Sequence, residues 1–200
     1  LADLVIELRR HFPGQRPGEK EQLDDAAEDE GELDDCSASI DLLAKFILGS
    51  GNRLPATEKQ VLQHFLGLED VQDDPKGLAW SSQSDLAPKL DITRARVGQV
   101  VTKARTRWIK TSSITQFRQT IAEVLGTKGG VMTHEELIST LLHLRGSALP
   151  DPERTRMASM VTRVAVEAER HLQQPKFEEL RRKGEIFIAL APELADFAQA

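Results

Sequence analysis

Apolar residues recur along this chain at helical spacing, in short amphipathic runs separated by polar breaks. In residues 1–12, Leu1, Leu4, Val5, Leu8 and Phe12 fall on one face, which predicts a helix that docks onto a neighbouring surface. Pro13-Gly14 ends it. Ile40, Leu43, Phe46 and Ile47 predict a second helix over 38–49, stopped by Gly49 and Gly51. The stretch 54–68 (LPATEKQVLQHFLGL) has Pro55 and Thr57 as start signals and Val61, Leu62, Phe65 and Leu66 as its apolar stripe. Periodicity then lapses, and residues 69–81 read as a loop.

Residues 82–110 (SQSDLAPKLDITRARVGQVVTKARTRWIK) predict two helices in close succession. Ser82 and Asp85 have the spacing of an N-cap with an acid in the first turn, and Leu86, Ala87 and Leu90 face inward. Pro88 predicts a kink. Asp91-Ile92 makes a turn, and Thr93 caps a longer helix that buries Val97, Val100, Val101 and Ala104. A short helix, a tight turn and a second helix with a small residue at the packing point is the helix-turn-helix layout. Its second helix would expose Arg94, Arg96 and Gln99 as base readers, with Lys103, Arg105, Arg107 and Lys110 on phosphate.

Further on, a helix over 113–126 buries Ile114, Phe117, Ile121, Val124 and Leu125. Gly129 to Met132 is extended, and Thr133-His134-Glu135-Glu136 is a capping box that opens a helix to about His143. Asp151-Pro152 starts a long helix to about Gln173, with Met157, Met160, Val161, Val164, Ala168 and Leu172 inward. Phe177–Arg181 and Glu185–Leu190 form a hairpin around Arg182-Lys183-Gly184, and a short terminal helix follows Pro192. Helix, short strand, two helices and a hairpin is the order of a winged helix. Arg181, Arg182 and Lys183 would form its tip; an α+β domain that only packs against proteins is the alternative.

Charge sharpens this picture. Residues 17–36 hold ten acids and one Lys, a net of −9 within a chain total of −6, which leaves +3 on the rest. Residues 94–118 carry seven Arg or Lys and no acid. Segregation of this kind predicts an acidic tether and a basic face. Residues 13–36 are too charged to fold alone and read as a flexible linker. Its composition favours a solvated spacer over a nucleic-acid mimic that masks the basic face. The expected organisation is a docking helix at 1–12, the linker at 13–36, a helix-turn-helix domain at 37–111 and a winged-helix-like domain at 112–200.

Composition removes several classes. A hydrophobic fraction of 40% and a charged fraction of 29% are those of a globular chain. No apolar run approaches the roughly 18–20 residues of a membrane span. The single Cys36 excludes an internal disulfide framework and a multi-cysteine zinc site, and fits a reducing, cytoplasmic compartment. The chain starts with Leu and shows no signal peptide, so it reads as a piece of a longer protein. The absence of Tyr argues against an RNA-stacking platform. His134-Glu135 is not followed by the second His of a zinc protease, because Ile138 stands there. The glycines at 126–130 lack the Lys-Ser/Thr of a phosphate loop. No nucleophile elbow, kinase signature or calcium loop occurs, so neither a catalytic nor a metal site is expected.

Two resemblances rest on these residues. The stretch 54–110 is similar to region 4 of primary bacterial sigma factors through Leu54-Pro55, Glu58, Val61-Leu62, Gly67-Leu68, Leu86, Leu90, Thr93-Arg94, Arg96-Val97, Gln99, Lys103 and Ala104. Ala95 and Gly98 stand where that family carries a Glu and an Arg that help read the promoter, so the likeness reaches further for fold than for promoter recognition. Over 54–198 the chain also resembles the non-catalytic region of PglW-type serine/threonine kinases of Pgl/BREX phage-defence systems. That likeness lies in LPATEKQVL at 54–62, WSSQSDLA at 80–87, RVGQVVTKARTRW at 97–108, GGVMTHEEL at 129–137 and LRGSALPDPER at 144–154.

This resemblance implies a bacterial parent with an upstream kinase domain that uses ATP and magnesium. It implies no cofactor on this stretch. The expectation is therefore a mainly α chain that binds or senses double-stranded DNA as a regulatory module of such a kinase. The alternatives are a module docking onto other defence-system proteins and a sigma-like transcription regulator.

Overall fold

A computed structural model describes residues 39–50, 54–69 and 72–194. The expected docking helix, the whole acidic linker and nearly all of the terminal helix lie outside them. Among the described residues are seven helices: α1 (Ile40–Ser50), α2 (Ala56–Phe65), α3 (Gln83–Lys89), α4 (Arg94–Trp108), α5 (Ser112–Thr127), α6 (His134–Arg145) and α7 (Glu153–Glu169). Three strands, β1 (Val131–Thr133), β2 (Glu178–Arg182) and β3 (Glu185–Ala189), make one antiparallel sheet in the order β1-β3-β2. The chain is mainly α.

Local chemistry sets the helix boundaries. The Ser82 hydroxyl accepts the Asp85 N–H at 3.3 Å while the Asp85 carboxylate accepts the Ser82 N–H at 2.9 Å. Thr133 and Glu136 repeat this box at the start of α6. The Thr93 hydroxyl accepts the Arg96 N–H at 3.2 Å and opens α4. Each box satisfies two backbone donors that the first helical turn leaves without partners.

Pro88 sits in the last turn of α3, where the helix ends one residue later. The end is closed by the Ile92 N–H on the Ala87 carbonyl at 3.1 Å and the Asp91 N–H on the Pro88 carbonyl at 3.4 Å. This 6→1 and 5→2 pattern places Asp91 in the left-handed region, at φ 51°. The expected kink is thus a helix stop. In the hairpin, Arg182 pairs with Glu185 across Lys183-Gly184, both at positive φ (49° and 86°), as a two-residue turn of the favoured hand requires.

The spine of the fold is α7, which touches α1, α4, α5, α6 and β2. Every residue from Ala158 to Glu169 is buried. One apolar core runs from Ile40 and Leu43 through Phe65, Val97, Val101, Phe117 and Leu141 to Val164 and Ile188. That core is continuous across 111/112, with α1 and α4 from one side and α5 and α6 from the other packed on α7. The reason is that α7 buries its whole circumference, not one stripe. Helices from both sides of the expected boundary pack on it.

Most buried polar residues of α7 have partners, Thr162 being an exception among the described residues. Arg156 donates to the carbonyls of Pro75 (3.1 Å) and Asp74 (3.3 Å). The Ser159 hydroxyl donates to the Gly77 carbonyl and accepts the Trp80 indole N–H at 2.9 Å. Arg163 donates to the Ser81 carbonyl. Residues 156, 159 and 163 share one helical face, so this stripe fastens the stretch 74–81, which the sequence reads only as loop. Gly77 is needed there: its φ is +64°, and a Cβ would stand 3.1 Å from the Arg156 side chain.

The helix also ends earlier than the periodicity suggests, at Glu169 instead of Gln173. The Glu169 carboxylate accepts the Lys176 backbone N–H at 2.9 Å and turns the chain towards β2.

Candidate nucleic-acid interface

Helix α4 buries Val97, Val100, Val101, Ala104 and Trp108 and turns Arg94, Arg96, Gln99 and Lys103 outward. These positions follow one another at three- and four-residue steps or lie in the first turn, so they form a continuous polar face. Lys110, just past the helix, is exposed as well. Among the described residues neither Arg94 nor Lys110 has a carboxylate within ion-pair distance.

Two expected phosphate contacts sit elsewhere. Arg105 is half-buried and donates through Nε to Glu167 of α7 at 2.8 Å. A buried charge pair of this kind holds its Arg inward, since separating it would strand the carboxylate. Arg107 is half-buried and lines an apolar groove of about 580 Å³ with Ile47, Leu54, Leu62, Trp108 and Met157.

A residue not singled out for charge completes the face. Glu58 of α2 is buried, and its carboxylate reaches Arg96 Nη2 and Lys103 Nζ, each at 3.4 Å. Arg96 also donates through Nη1 to Gln99 Oε1 at 3.5 Å. The signal was available in the sequence: Glu58 precedes Val61 and Leu62 by three and four residues, the spacing that puts it on the buried side of α2.

At the hairpin, Arg181 lies on β2, not at the tip. It donates to Glu179 at 2.8 Å and to the Trp80 carbonyl at 2.7 Å. Arg182 is half-buried and donates to the Arg181 carbonyl at 3.2 Å. Lys183 is exposed in the turn. Arg170 joins Glu167 and Glu179, at 3.5 and 3.4 Å, so ion pairs run continuously from Arg105 on α4 to Arg181 on β2.

Two buried bases sit behind this surface. Arg163 lies over the Phe65 ring at 4.1 Å and near the Trp80 ring at 5.5 Å. Burial pushes its pKa down to about 10 against the pull of Glu167 and Glu179, which leaves it cationic at neutral pH. His134 packs on Trp80 with ring centroids 5.1 Å apart, and among the described residues its Nε2 has no hydrogen-bond partner. Burial lowers its pKa below the usual value, although Glu135, Glu179 and Asp74 oppose the shift.

The sign of the resulting pH effect follows. Neutral His134 is favoured in the fold, so its stabilisation is complete above the unfolded pKa of about 6.5 and is lost as pH falls towards the lower folded value. Urea unfolding at pH 7.5 and 5.5 should show lower stability at 5.5. The loss should shrink in His134→Gln, and an equal loss in that variant would exclude His134 as its source.

Among the described residues, no group of three His, Cys, Asp or Glu side chains is placed to hold a metal ion. No helix among them is long and apolar enough to cross a membrane.

The chain is thus, as a class, a mainly α fold with a small antiparallel sheet and one basic helix face. Over 142 residues it is 28% identical to a protein of Streptomyces coelicolor named Probable kinase PglW, with 69% of this chain and 9% of that protein covered. The chain therefore spans under a tenth of that relative's length. No protein family model and no solved structure matches it.

Proposed function

We propose that this chain is a double-stranded-DNA-binding or DNA-sensing module of a bacterial phage-defence serine/threonine kinase. The observation that carries the reading is the pair α3 and α4. They are joined through Leu90–Thr93, and α4 is capped by Thr93 and presents Arg94, Arg96, Gln99 and Lys103 on one face. On this reading the pair acts as a helix-turn-helix similar to sigma region 4, with α4 as the helix that enters the major groove. At a preferred sequence Arg94, Arg96 and Gln99 probe base edges while Lys103 and Lys110 grip phosphate; on random duplex Arg94 and Arg96 take phosphate too. The likeness to Probable kinase PglW supports the kinase context. ATP and magnesium belong to the kinase domain of the parent, in the bacterial cytoplasm.

The second half, α5-β1-α6-α7-β2-β3, follows the order of a winged helix. Its third helix, α7, is buried and works as a packing spine, so DNA contact from this half is confined to Lys183 and its neighbours in the hairpin turn.

Titration of labelled random duplex at rising salt tests the proposal. Four exposed cations (Arg94, Arg96, Lys103 and Lys110) limit the log–log slope to no steeper than about −4, at about 0.9 per phosphate contact. Absence of binding at 50 mM salt and protein above the ~10⁻⁴ M weak end of non-specific affinity would reject it. The second reading, a docking module for other defence-system proteins, rests on the apolar groove beside Trp108 and the half-exposed Leu48 at its edge.

A further inference from the structure

We propose that Glu58 is a built-in counter-anion of the α4 face, which must release Arg96 and Lys103 before they can take up phosphate and so holds DNA affinity down. The inference rests on the DNA-binding reading of α4.

Glu58 sits in the first turn of α2 and is 7% exposed. An anion there is favoured by the helix dipole. Its two carboxylate oxygens are divided between two cations, Oε1 towards Arg96 and Oε2 towards Lys103. Both separations, 3.4 Å, are long for charge-assisted hydrogen bonds, which close to about 2.7–2.9 Å.

The cations are open on their outer side, with side-chain exposures of 44% for Arg96 and 69% for Lys103. A phosphate oxygen arriving from solvent can therefore make a closer bond to either cation than Glu58 makes. The contrast with Arg105 is instructive. Its side chain is 15% exposed and Glu167 is 2% exposed, so that pair is locked inside the protein. Arg96 and Lys103 are held loosely enough to be exchanged.

Exchange has a cost that appears only on binding. When DNA takes the two cations, Glu58 keeps its charge beneath a polyanion and must recruit solvent cations. The apparent number of ions released then falls below the number of phosphates contacted. Wild-type protein should accordingly show a shallower salt dependence than its exposed Arg and Lys would give.

The test is Glu58→Gln, which keeps the size and removes the charge. Binding to random duplex at 50 mM salt should tighten about three- to tenfold, since exposed ion pairs are individually weak. The log–log slope should steepen by about 1 to 2, near 0.9 for each cation released. Adding Lys103→Ala should remove most of the gain. Weaker binding by Glu58→Gln would make the carboxylate a device that orients Arg96, and the proposal would be overturned. Unchanged affinity and slope overturn it too.

If Glu58→Gln does not melt cooperatively, the comparison is made in protein that retains Glu58. Lys103→Ala should then cost less affinity than Arg94→Ala, and an equal or larger loss rejects the proposal. If wild-type protein binds no duplex at all, the DNA-binding reading falls and this inference with it. If wild-type protein binds and Glu58→Gln binds no tighter, only the inference falls.

Discussion

Glu169→Ala is expected to destabilise the protein by about 3–5 kcal/mol, the cost of breaking a buried ion pair by removing one partner. Glu169 is fully buried and accepts Arg118 Nε at 2.8 Å, and Arg118 itself is only 8% exposed. Truncation leaves the guanidinium buried without its carboxylate. It also frees the Lys176 N–H, whose bond to Glu169 sets the turn into β2. At about 2–4 °C per kcal/mol for a domain of this size, a loss of about 3 kcal/mol lowers Tm by roughly 6–12 °C.

The companion variant identifies the cause. Arg118→Met with Glu169→Leu removes both charges and refills the space, and should recover much of the loss, because apolar replacements of buried pairs are often neutral or better. A melting temperature within about 2 °C of wild type for Glu169→Ala would mean that water reaches the pair.

Charge reversal at the start of α4 and just past its end should give the largest effect on binding. Arg94→Glu with Lys110→Glu alters two cations that have no ion-pair partner among the described residues. Each lost phosphate contact is worth about the 0.9 power of the salt ratio, so two cost roughly two-hundredfold at 50 mM relative to 1 M salt, before added repulsion. The slope should flatten by about 2. Arg94 precedes Ala95 in the first turn of α4, where an acid suits the helix dipole, so the melting curve should barely move. Retained affinity in a folded variant would move the interface off α4.

The chain's local signals translated well because caps and turns act over three or four residues. Ser82, Thr93 and Thr133 each do what their spacing implies, and Lys183-Gly184 makes the turn that a basic residue before glycine suggests. Arg105 was misplaced on the exposed face because its partner, Glu167, lies 62 positions away and no periodicity links the two. The continuity of the core across 111/112 was hidden for a related reason. An amphipathic reading of α7 finds one apolar side, but Arg156, Ser159, Arg163, Glu167 and Glu169 are buried as well, each bonded to a distant group. Glu58 shows the intermediate case: its helical position tells that it is buried, and nothing local tells that it meets Arg96 and Lys103.

The burial of α7 on every side also fixes an order of events during synthesis. Helices α1 to α4 leave the ribosome before residues 153–169 exist, and the apolar side chains they will set against α7 have nothing to cover them. Helices α1 to α4 must therefore wait, partly collapsed, for a helix that emerges later. A premature stop anywhere before residue 153 yields a polypeptide with sticky open surfaces and no route to a finished core, and quality-control proteases would be expected to clear it as one unit.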